Sequence, residues 1–309
     1  EIFNVCWEMT PAVQAFLKNA IEEAYIQTGW DLANSISLVP NIIFPTLRDL
    51  LEVIPKLIRE SHYSDTLKKD IEGALTTRIK TLTSGIFGQI FCSELDVNDE
   101  ILFNRNVVID LSRIGSSESK ALIMGLIVTR LTEYRSATAK GTNLGIQHIT
   151  ILEEAHNLLK NTNSNSSKLA SKSVEMICNG IAEMRTYGEG FIIVDQSPTA
   201  VDIAAIKNTN TKIIMRLPDK TDCEVSGNAF GLNEYQMAEI PKLPQGVAIV
   251  MQSNWIKPVL TKISKAQDSF SLPSIEQKDG SAMRINVRIG PAPSIQAASS
   301  SSAGRLLKN

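Results

Sequence analysis

Five short apolar runs constrain the fold of this 309-residue chain more than any other feature of its sequence. They lie at residues 107–111, 149–152, 191–194, 212–215 and 247–251. The stretches between them carry helical patterns, at residues 117–134, 170–187 and 199–208. Apolar runs that do not alternate with polar residues are expected where helices cover both faces of a parallel sheet. The sequence therefore predicts an α/β fold built on a mainly parallel sheet flanked by helices.

The first hundred residues are predicted to be mostly helical. Apolar residues recur every three or four positions at residues 11–28 and 64–91, which is the spacing of one helix face. After about residue 265 this periodicity is lost, and the chain ends in a Ser- and Ala-rich stretch. We therefore expect a helical segment at residues 1–100, a sheet-containing core at 101–265 and a flexible tail at 266–309.

Composition narrows the class of protein. The formal net charge is −2, so DNA or RNA would have to be met by a local basic patch. The four cysteines have no CxxC spacing, and the three histidines form no metal-ligand pattern with them. The longest strongly apolar stretch, residues 121–128, is far shorter than the ~20 residues that a membrane-spanning helix requires. We expect a cytoplasmic protein with free thiols and no membrane partner.

Two adjacent carboxylates, Glu153 and Glu154, follow the apolar run at 149–152. Ligands bind at the carboxyl ends of strands in open parallel sheets, so this is where chemistry is sought. Nucleoside-triphosphate hydrolases use such a pair: the first acid holds the shell of Mg²⁺, and the second polarises the attacking water. The cation would also relieve the repulsion between the two charges. The alternative is a pair of solvated carboxylates that open the helix starting near Ala155, where the helix dipole favours negative charge.

Gln196 follows the next apolar run, 191–194, at the corresponding end. An amide donor at this place can contact the terminal phosphate of a nucleotide and respond to its loss. The alternative is an ordinary turn made by Gln196, Ser197 and Pro198.

Two arginines are candidates for stabilising charge on a transferred phosphoryl group. Arg185 closes the helix before the 191–194 run, and a guanidinium at the edge of a subunit can reach a neighbour's triphosphate as an arginine finger. Arg216 follows the 212–215 run and is the second candidate. Arg185 can instead be a helix-end cation, and Arg216 can pair with Asp219 or Asp222. The sequence leaves these alternatives open.

The order of these motifs resembles the C-terminal part of HerA-type ATPases, which belong to the HerA/FtsK class of RecA-like hexameric motors. The resemblance covers roughly residues 1–265 and rests on NVVIDLSRIGSSESKALIMGLIVTRLTEYR, ITILEEAHNLL, MRTYGEGFIIVDQSP, IKNTNTKIIMRLPDKTD and LPQGVAIVMQSNWIKPVL. It implies a ring of six subunits that uses ATP and Mg²⁺ to move duplex DNA, often beside a nuclease or another effector.

The resemblance also implies roles for individual residues. Glu153 stands at the Mg²⁺-directing Walker B acid, Glu154 at the catalytic glutamate, Gln196 at the sensor and Arg185 at the trans-acting arginine. Glu153, Glu154 and Gln196 would face the nucleotide. The helical segment at 1–100 is then part of the ATPase domain or inserted in it, and residues 101–265 are the RecA-like core.

The chain departs from the family pattern in two ways. Glu153 replaces a more usual aspartate, and the metal geometry or an intervening water must absorb its extra methylene. The phosphate-cradling loop G-x-x-x-x-G-K-[ST] is missing, and the dipeptide Gly-Lys occurs nowhere in the sequence. Tight triphosphate binding and ATP hydrolysis are therefore not expected from this chain by itself.

Three functions compete on these grounds. Because the chain begins with Glu1 rather than Met, it can be the C-terminal portion of a longer DNA translocase or helicase whose phosphate loop lies upstream. It can instead be a non-catalytic scaffold that assembles a ring for a partner nuclease or effector, or a conjugation- or secretion-type motor. The filled Glu154, Arg185 and Gln196 positions favour the first.

DNA contacts of such a motor are expected from pore-facing loops rather than from net charge. The candidates are basic residues near the polar tract at 161–167, which is predicted to be a mobile loop, and near residues 112–120: Arg113, Lys120, Lys160, Lys168 and Lys172. A solvated surface role is the alternative for each lysine.

Overall fold

The computed structural model describes residues 2–7, 9–93, 97–162, 168–265 and 287–290. The described residues fall into two compact units, one within 7–98 and the other within 2–6, 99–265 and 287–290. The tail expected at 266–309 lies outside the described residues except for Val287–Gly290, and so does most of the tract at 161–167.

Both units contain α-helices, which are numbered here in chain order. Their bounds are α1 Ile2–Cys6, α2 Pro11–Gln27, α3 Leu47–Glu60, α4 Asp65–Thr83, α5 Gly85–Phe91, α6 Asp99–Asn104, α7 Ser117–Thr138, α8 Lys168–Glu183, α9 Ile203–Asn208, α10 Lys220–Phe230 and α11 Glu234–Glu239. The described strands are β1 Trp30–Asp31, β2 Ile36–Ser37, β3 Asn106–Ile109, β4 His148–Glu153, β5 Glu189–Val194, β6 Thr211–Ile214, β7 Val247–Gln252, β8 Val259–Lys262 and β9 Val287–Gly290.

The unit at residues 7–98 is a helical bundle in which α3 packs against α2 and α4. The four-residue spacing of Ile71, Leu75 and Ile79 puts them on one face of α4, and all three are buried. A capping box fixes the start of α3: the Thr46 backbone N–H donates to Asp49 Oδ2 over 2.6 Å, and the Thr46 hydroxyl accepts from the backbone of Arg48.

In the other unit, β4 and β5 pair in parallel, with His148 opposite Glu189 and Glu153 opposite Val194. One face of this pair packs on the core, where Leu152 meets buried residues of α8 such as Val174 and Cys178. The parallel pairing and its helical cover on this face confirm the predicted α/β class.

The opposite face of the β4–β5 pair is uncovered in the described structure. Ile149 and Ile151 of β4 are 48% and 57% exposed, and Ile192 and Val194 of β5 are 46% and 37% exposed. Side-chain alternation places these four residues, together with Glu153, on one face. The sequence led us to expect helices on both faces, and the described residues supply only one of the two layers.

The other sheet pairings are antiparallel within the described residues, which the sequence did not predict. β6 pairs with β7, β7 pairs with β8, and β3 pairs with β9. An apolar run signals burial but carries no information about strand direction, which the connecting segments decide. Within the described residues, β4 and β5 form a two-stranded parallel sheet of their own, while β6, β7 and β8 form a separate antiparallel sheet.

Candidate functional site

The structure brings Glu154 and Gln196 together at the carboxyl ends of β4 and β5. Gln196 Nε2 donates a hydrogen bond to Glu154 Oε1 over 2.8 Å. Both residues are exposed, so the pair faces solvent, where a ligand can reach it. The parallel register explains the meeting, because Glu153 lies opposite Val194 and the two strands therefore end at the same level.

Glu154 has an unusual backbone conformation, with φ 49° and ψ 50°. The left-handed region costs a residue with a side chain about 1–3 kcal/mol, and such positions cluster at functional sites. The turn is held on its other side by Asn157, whose backbone N–H and side-chain amide both donate to the Glu154 carbonyl, over 3.0 and 2.8 Å. This backbone conformation lowers the stability of the chain, and it directs the Glu154 side chain towards Gln196 at the ends of the two strands.

Only part of the alternative interpretation, solvated carboxylates that open a helix near Ala155, fits Glu154, whose side chain is exposed. A 3-10 turn, Ala155–Asn157, follows it in place of an α-helix, and within the described residues its side chain makes no capping hydrogen bond. Glu153 is the last residue of β4, and it is exposed on the uncovered face of the sheet.

Asp195 is a central residue of this edge that the sequence analysis missed. Its Oδ2 accepts from the His156 backbone N–H over 2.8 Å and lies 2.8 Å from His156 Nδ1. Its Oδ1 accepts from the Ser197 backbone N–H over 2.9 Å. The Asp195 side chain is only 6% exposed, whereas that of His156 is 37% exposed. The signal for it was present, since Asp195 directly follows β5 and precedes Gln196.

Asp222 ties the loop after Gln196 to the start of α10. Its Oδ1 accepts from the Thr199 backbone N–H over 2.9 Å and from the Thr199 hydroxyl over 2.7 Å, and Ser197 Oγ lies 3.3 Å away. Asp222 is buried, with 7% exposure. The start of α10, which follows the segment that carries Arg216, is therefore anchored to the loop after Gln196.

The ion pair considered for Arg216 is not formed in the described structure. Asp219 instead caps α10, accepting from the backbone of Thr221 and Asp222 over 2.8 and 3.0 Å. The carboxylate of Asp222 is engaged by Thr199. Arg216 is exposed, and no salt bridge among the described residues includes it.

Arg185 lies at the opposite edge of the sheet. It belongs to the 3-10 turn Met184–Tyr187, which precedes β5, so the length of the strand separates it from Glu154. Six residues of strand span about 20 Å. Arg185 is exposed and does not join the Glu154 site of its own chain.

A buried polar cluster lies at this opposite edge. Glu189, 2% exposed, accepts from Arg135 Nε over 2.8 Å and from the Thr150 hydroxyl over 2.7 Å, and it lies 2.7 Å from His148 Nδ1. Burial raises the pKa of the Glu189 carboxyl, but the hydrogen bonds from His148, Thr150 and Arg135 outweigh burial, so the pKa lies below its ordinary value. The sequence analysis did not predict this cluster.

The basic residues considered for DNA contact lie on different elements. Arg113 lies in the loop after β3 and is exposed, whereas Lys120 is half-buried in the first turn of α7. Lys160 is exposed and pairs with Val201 in an isolated bridge. Lys168 is the first residue of α8, and its side chain lies outside the described part of the structure.

The chain has a RecA-like α/β fold. The solved structure of VirB4 from Thermoanaerobacter pseudethanolicus has this fold, with a TM-score of 0.62 and 15% identity over 86% of this chain and 67% of that one. The likeness places the chain in the same fold as VirB4.

Comparison of the amino-acid sequence with known proteins narrows the resemblance further than the fold does. The chain is 28% identical over 179 residues to the DNA double-strand break repair helicase HerA of Sulfolobus acidocaldarius, and 27% identical over 207 residues to a probable helicase of Methanocaldococcus jannaschii. These matches cover 57% and 65% of this chain but only 35% and 38% of the two relatives. No family model matches the chain. Sequence and fold together confirm the resemblance to HerA/FtsK-type ATPases.

No described helix combines the length and apolar character needed to cross a membrane. In the same part of the chain, no three His, Cys, Asp or Glu side chains are grouped so as to hold a metal ion. Mg²⁺ often needs only one or two carboxylates and keeps several waters, so the exposed oxygens of Glu153 and Glu154 remain suitable donors for it.

Proposed function

We propose that this chain is the C-terminal part of a HerA-type motor that couples ATP hydrolysis to movement of duplex DNA. The observation that carries the proposal is the 2.8 Å hydrogen bond between Gln196 and Glu154 at the ends of two parallel strands. It joins the two residues that the sequence assigned to water activation and to phosphate sensing. The relatives named as DNA repair helicases favour duplex DNA as the substrate that is moved.

In this mechanism the Glu154 carboxylate accepts a hydrogen bond from the attacking water and takes up its proton as the bond to phosphorus forms. The Gln196 amide has two N–H groups. One of them bonds Glu154, and the second is available to the terminal phosphate of ATP. Loss of that phosphate would leave Gln196 bonded to Glu154 alone, so the pair reports the state of the nucleotide.

Mg²⁺, when bound, would neutralise charge on the phosphates. Glu153 and Glu154 supply the hard oxygen donors that this ion prefers. Glu153 is the residue that we assign to the metal shell, because it is exposed at the end of β4 on the uncovered face.

The phosphate-cradling loop is proposed to come from polypeptide outside these 309 residues. The uncovered face of β4 and β5 supports this, because it exposes Ile149, Ile151 and Ile192, which a parallel sheet normally buries. A strand, loop and helix added beside β4 would cover these side chains and bring a phosphate-binding loop to Glu153. The chain alone is then expected to be inactive as an ATPase.

The two arginines are assigned to different sites. Arg185, at the far edge of β5, is suited to reach the nucleotide of a neighbouring subunit in the proposed ring of six. Arg216 precedes the segment that Asp222 ties to the Gln196 loop, so it is suited to the site of its own chain. DNA contacts are assigned to Arg113, Lys120, Lys160 and Lys168, and a nuclease or another effector remains the proposed partner.

The test is Glu154→Gln in the complete protein, with ATP turnover measured in the presence of duplex DNA. Loss of the base should lower kcat by about 10²–10⁴-fold and leave nucleotide binding intact. Glu175→Gln, on an exposed position of α8, is the matched control and should leave turnover unchanged. Undiminished turnover in the Glu154 variant would remove that residue from its role. A complete wild-type protein that assembles but does not hydrolyse ATP would instead identify the chain as a scaffold.

A further inference from the structure

Glu154 needs an anchor, because its left-handed backbone is unfavourable for a residue with a side chain. The bonds from Asn157 to its carbonyl lie within one turn of chain and cannot fix that turn relative to β5. Across the strand ends, Asp195 makes the connection. It receives both the backbone N–H and Nδ1 of His156, two residues beyond Glu154.

The same carboxylate fixes the other side of the pair. Asp195 Oδ1 accepts from the Ser197 backbone N–H over 2.9 Å, which folds the chain around Gln196 into a tight turn. One aspartate therefore holds the turn after Glu154 with one oxygen and the turn that contains Gln196 with the other. The His156 ring also approaches Glu154 itself, with Nδ1 3.7 Å from Glu154 Oε2.

We propose that Asp195 is the positioning residue of this site: through His156 and Ser197 it sets the distance and orientation at which Glu154 and Gln196 meet. Its effect on ATP hydrolysis rests on the function proposed above, whereas its effect on the Glu154–Gln196 hydrogen bond does not.

The chemistry at this position requires a carboxylate. An ionised aspartate accepts at both oxygens, and all three groups that it meets are N–H donors once His156 carries its proton on Nδ1. An asparagine has one acceptor oxygen and one NH₂ group. In either orientation it directs an N–H at one of these donors, so one of the two turns is released.

The first experiment measures the hydrogen bond itself in the 309-residue chain. Glutamine side chains are labelled with ¹⁵N, and the Gln196 amide resonances are identified by their loss in Gln196→Ala. Glu154→Ala gives the resonance position of the broken bond. Asp195→Asn and His156→Ala should each move the Gln196 signals at least about halfway to that position. His156→Asn should keep the signals near the wild-type position, because the amide nitrogen of the new asparagine replaces His156 Nδ1 as the donor to Asp195.

The matched control is Asp202→Asn. Asp202 accepts a backbone N–H from Ala204 at the start of α9, so the same chemical change is made at an aspartate that serves a different turn. The Gln196 signals of the Asp202→Asn variant should coincide with those of the wild type. Coincidence of the Asp195→Asn signals with the wild type, in a chain with an unchanged melting temperature, would overturn the proposal.

The second experiment measures ATP turnover in the complete protein. Asp195→Asn should lower kcat by about ten- to a hundredfold and change the KM for ATP less than twofold, since misplacement of a reacting group acts on the chemical step. His156→Asn should recover most of the turnover that His156→Ala loses. Unchanged kcat in Asp195→Asn would overturn the role in hydrolysis. If the wild-type complete protein does not turn over ATP, the proposed function fails, and the amide resonances alone still decide whether Asp195 positions the pair.

Discussion

Arg135 Nε lies 2.8 Å from Glu189 Oε2, and this ion pair is buried at the edge of the sheet opposite Glu154. It links α7 to the first residue of β5. A buried pair of this kind contributes modestly as a whole, but removing one partner leaves the other charge uncompensated in the interior. The pair thus fixes the start of the strand whose far end carries the candidate site.

The first prediction concerns the stability that depends on this pair. Arg135→Met should lower the free energy of unfolding by about 3–5 kcal/mol, because Glu189 stays buried without its cation. Urea denaturation followed by circular dichroism measures the change. Lys220→Met breaks the exposed Lys220–Glu224 pair and should cost less than about 1 kcal/mol. Equal losses in the two variants would show that Arg135 does not compensate a buried charge.

The second prediction is the pH dependence that follows from Glu189. Its pKa is lower in the folded chain than its ordinary value of 4.5, so the unfolded state binds a proton more readily. The stabilisation is therefore complete above about pH 4.5 and is lost as the pH falls through the folded pKa. Unfolding free energies measured from pH 7 to pH 3 should show this decline. Glu189→Gln should flatten it, whereas the exposed Glu175→Gln should retain the wild-type slope.

The third prediction compares two glycines. Gly188 has φ +80°, and a Cβ added there would lie 2.7 Å from the Gly145 carbonyl oxygen, whereas Gly180, inside α8, faces open space. Gly188→Ala should therefore destabilise the chain by about 1–3 kcal/mol, while Gly180→Ala should stabilise it by about 0.5–1 kcal/mol. Urea denaturation of both variants measures the change in the free energy of unfolding, which should be a loss for Gly188→Ala and a gain for Gly180→Ala. A stabilising Gly188→Ala would contradict the tight turn that leads from Arg185 into β5.

The fourth prediction concerns the four thiols. Burial raises the pKa of Cys6 and of Cys178 to about 12, and burial likewise raises the pKa of Cys223. Thiolates are the reactive form, so these three cysteines should react slowly with an aromatic disulfide reagent at pH 8. Cys92 is only half-buried and should react first. All four should react quickly in urea, and Cys92→Ser should remove the fast phase of the native chain.

The parts of the site that could be predicted from the sequence are those that depend on strand ends alone. Glu154 and Gln196 each follow an apolar run, and parallel strands end at a common edge, so their proximity needs no knowledge of side-chain packing. Asp195 also follows an apolar run, but its role depends on side-chain contacts with His156 and with the Ser197 backbone, which a position at a strand end does not indicate. Glu189 lies at the start of β5, and its partner Arg135 is 54 residues away in sequence, so no strand-end argument brings these two together.

Strand direction was also beyond what the sequence could predict. The runs at 212–215 and 247–251 are as apolar as the run at 149–152, yet β6 and β7 pair antiparallel. Hydrophobic burial is non-directional, so the same pattern suits either pairing. The continuous apolar character of β4 and β5 led us to expect cover on both faces of the sheet, whereas the described residues cover only one face.

The last prediction separates the two arginines by mixing inactive subunits of the complete protein. Arg185→Ala and Glu154→Gln should each abolish turnover when present alone. If Arg185 acts in trans, a working site forms where a subunit that keeps Glu154 receives the arginine of a neighbour that keeps Arg185. In an equal mixture each of these two conditions holds for half of the subunits, so about one quarter of the sites should be restored. Arg216→Ala mixed with Glu154→Gln should restore none, because every subunit that keeps Glu154 then lacks the arginine of its own site. Recovery with Arg216 but not with Arg185 would reverse the proposed assignment, in which Arg185 precedes β5 and Arg216 precedes the segment that Asp222 ties to the Gln196 loop.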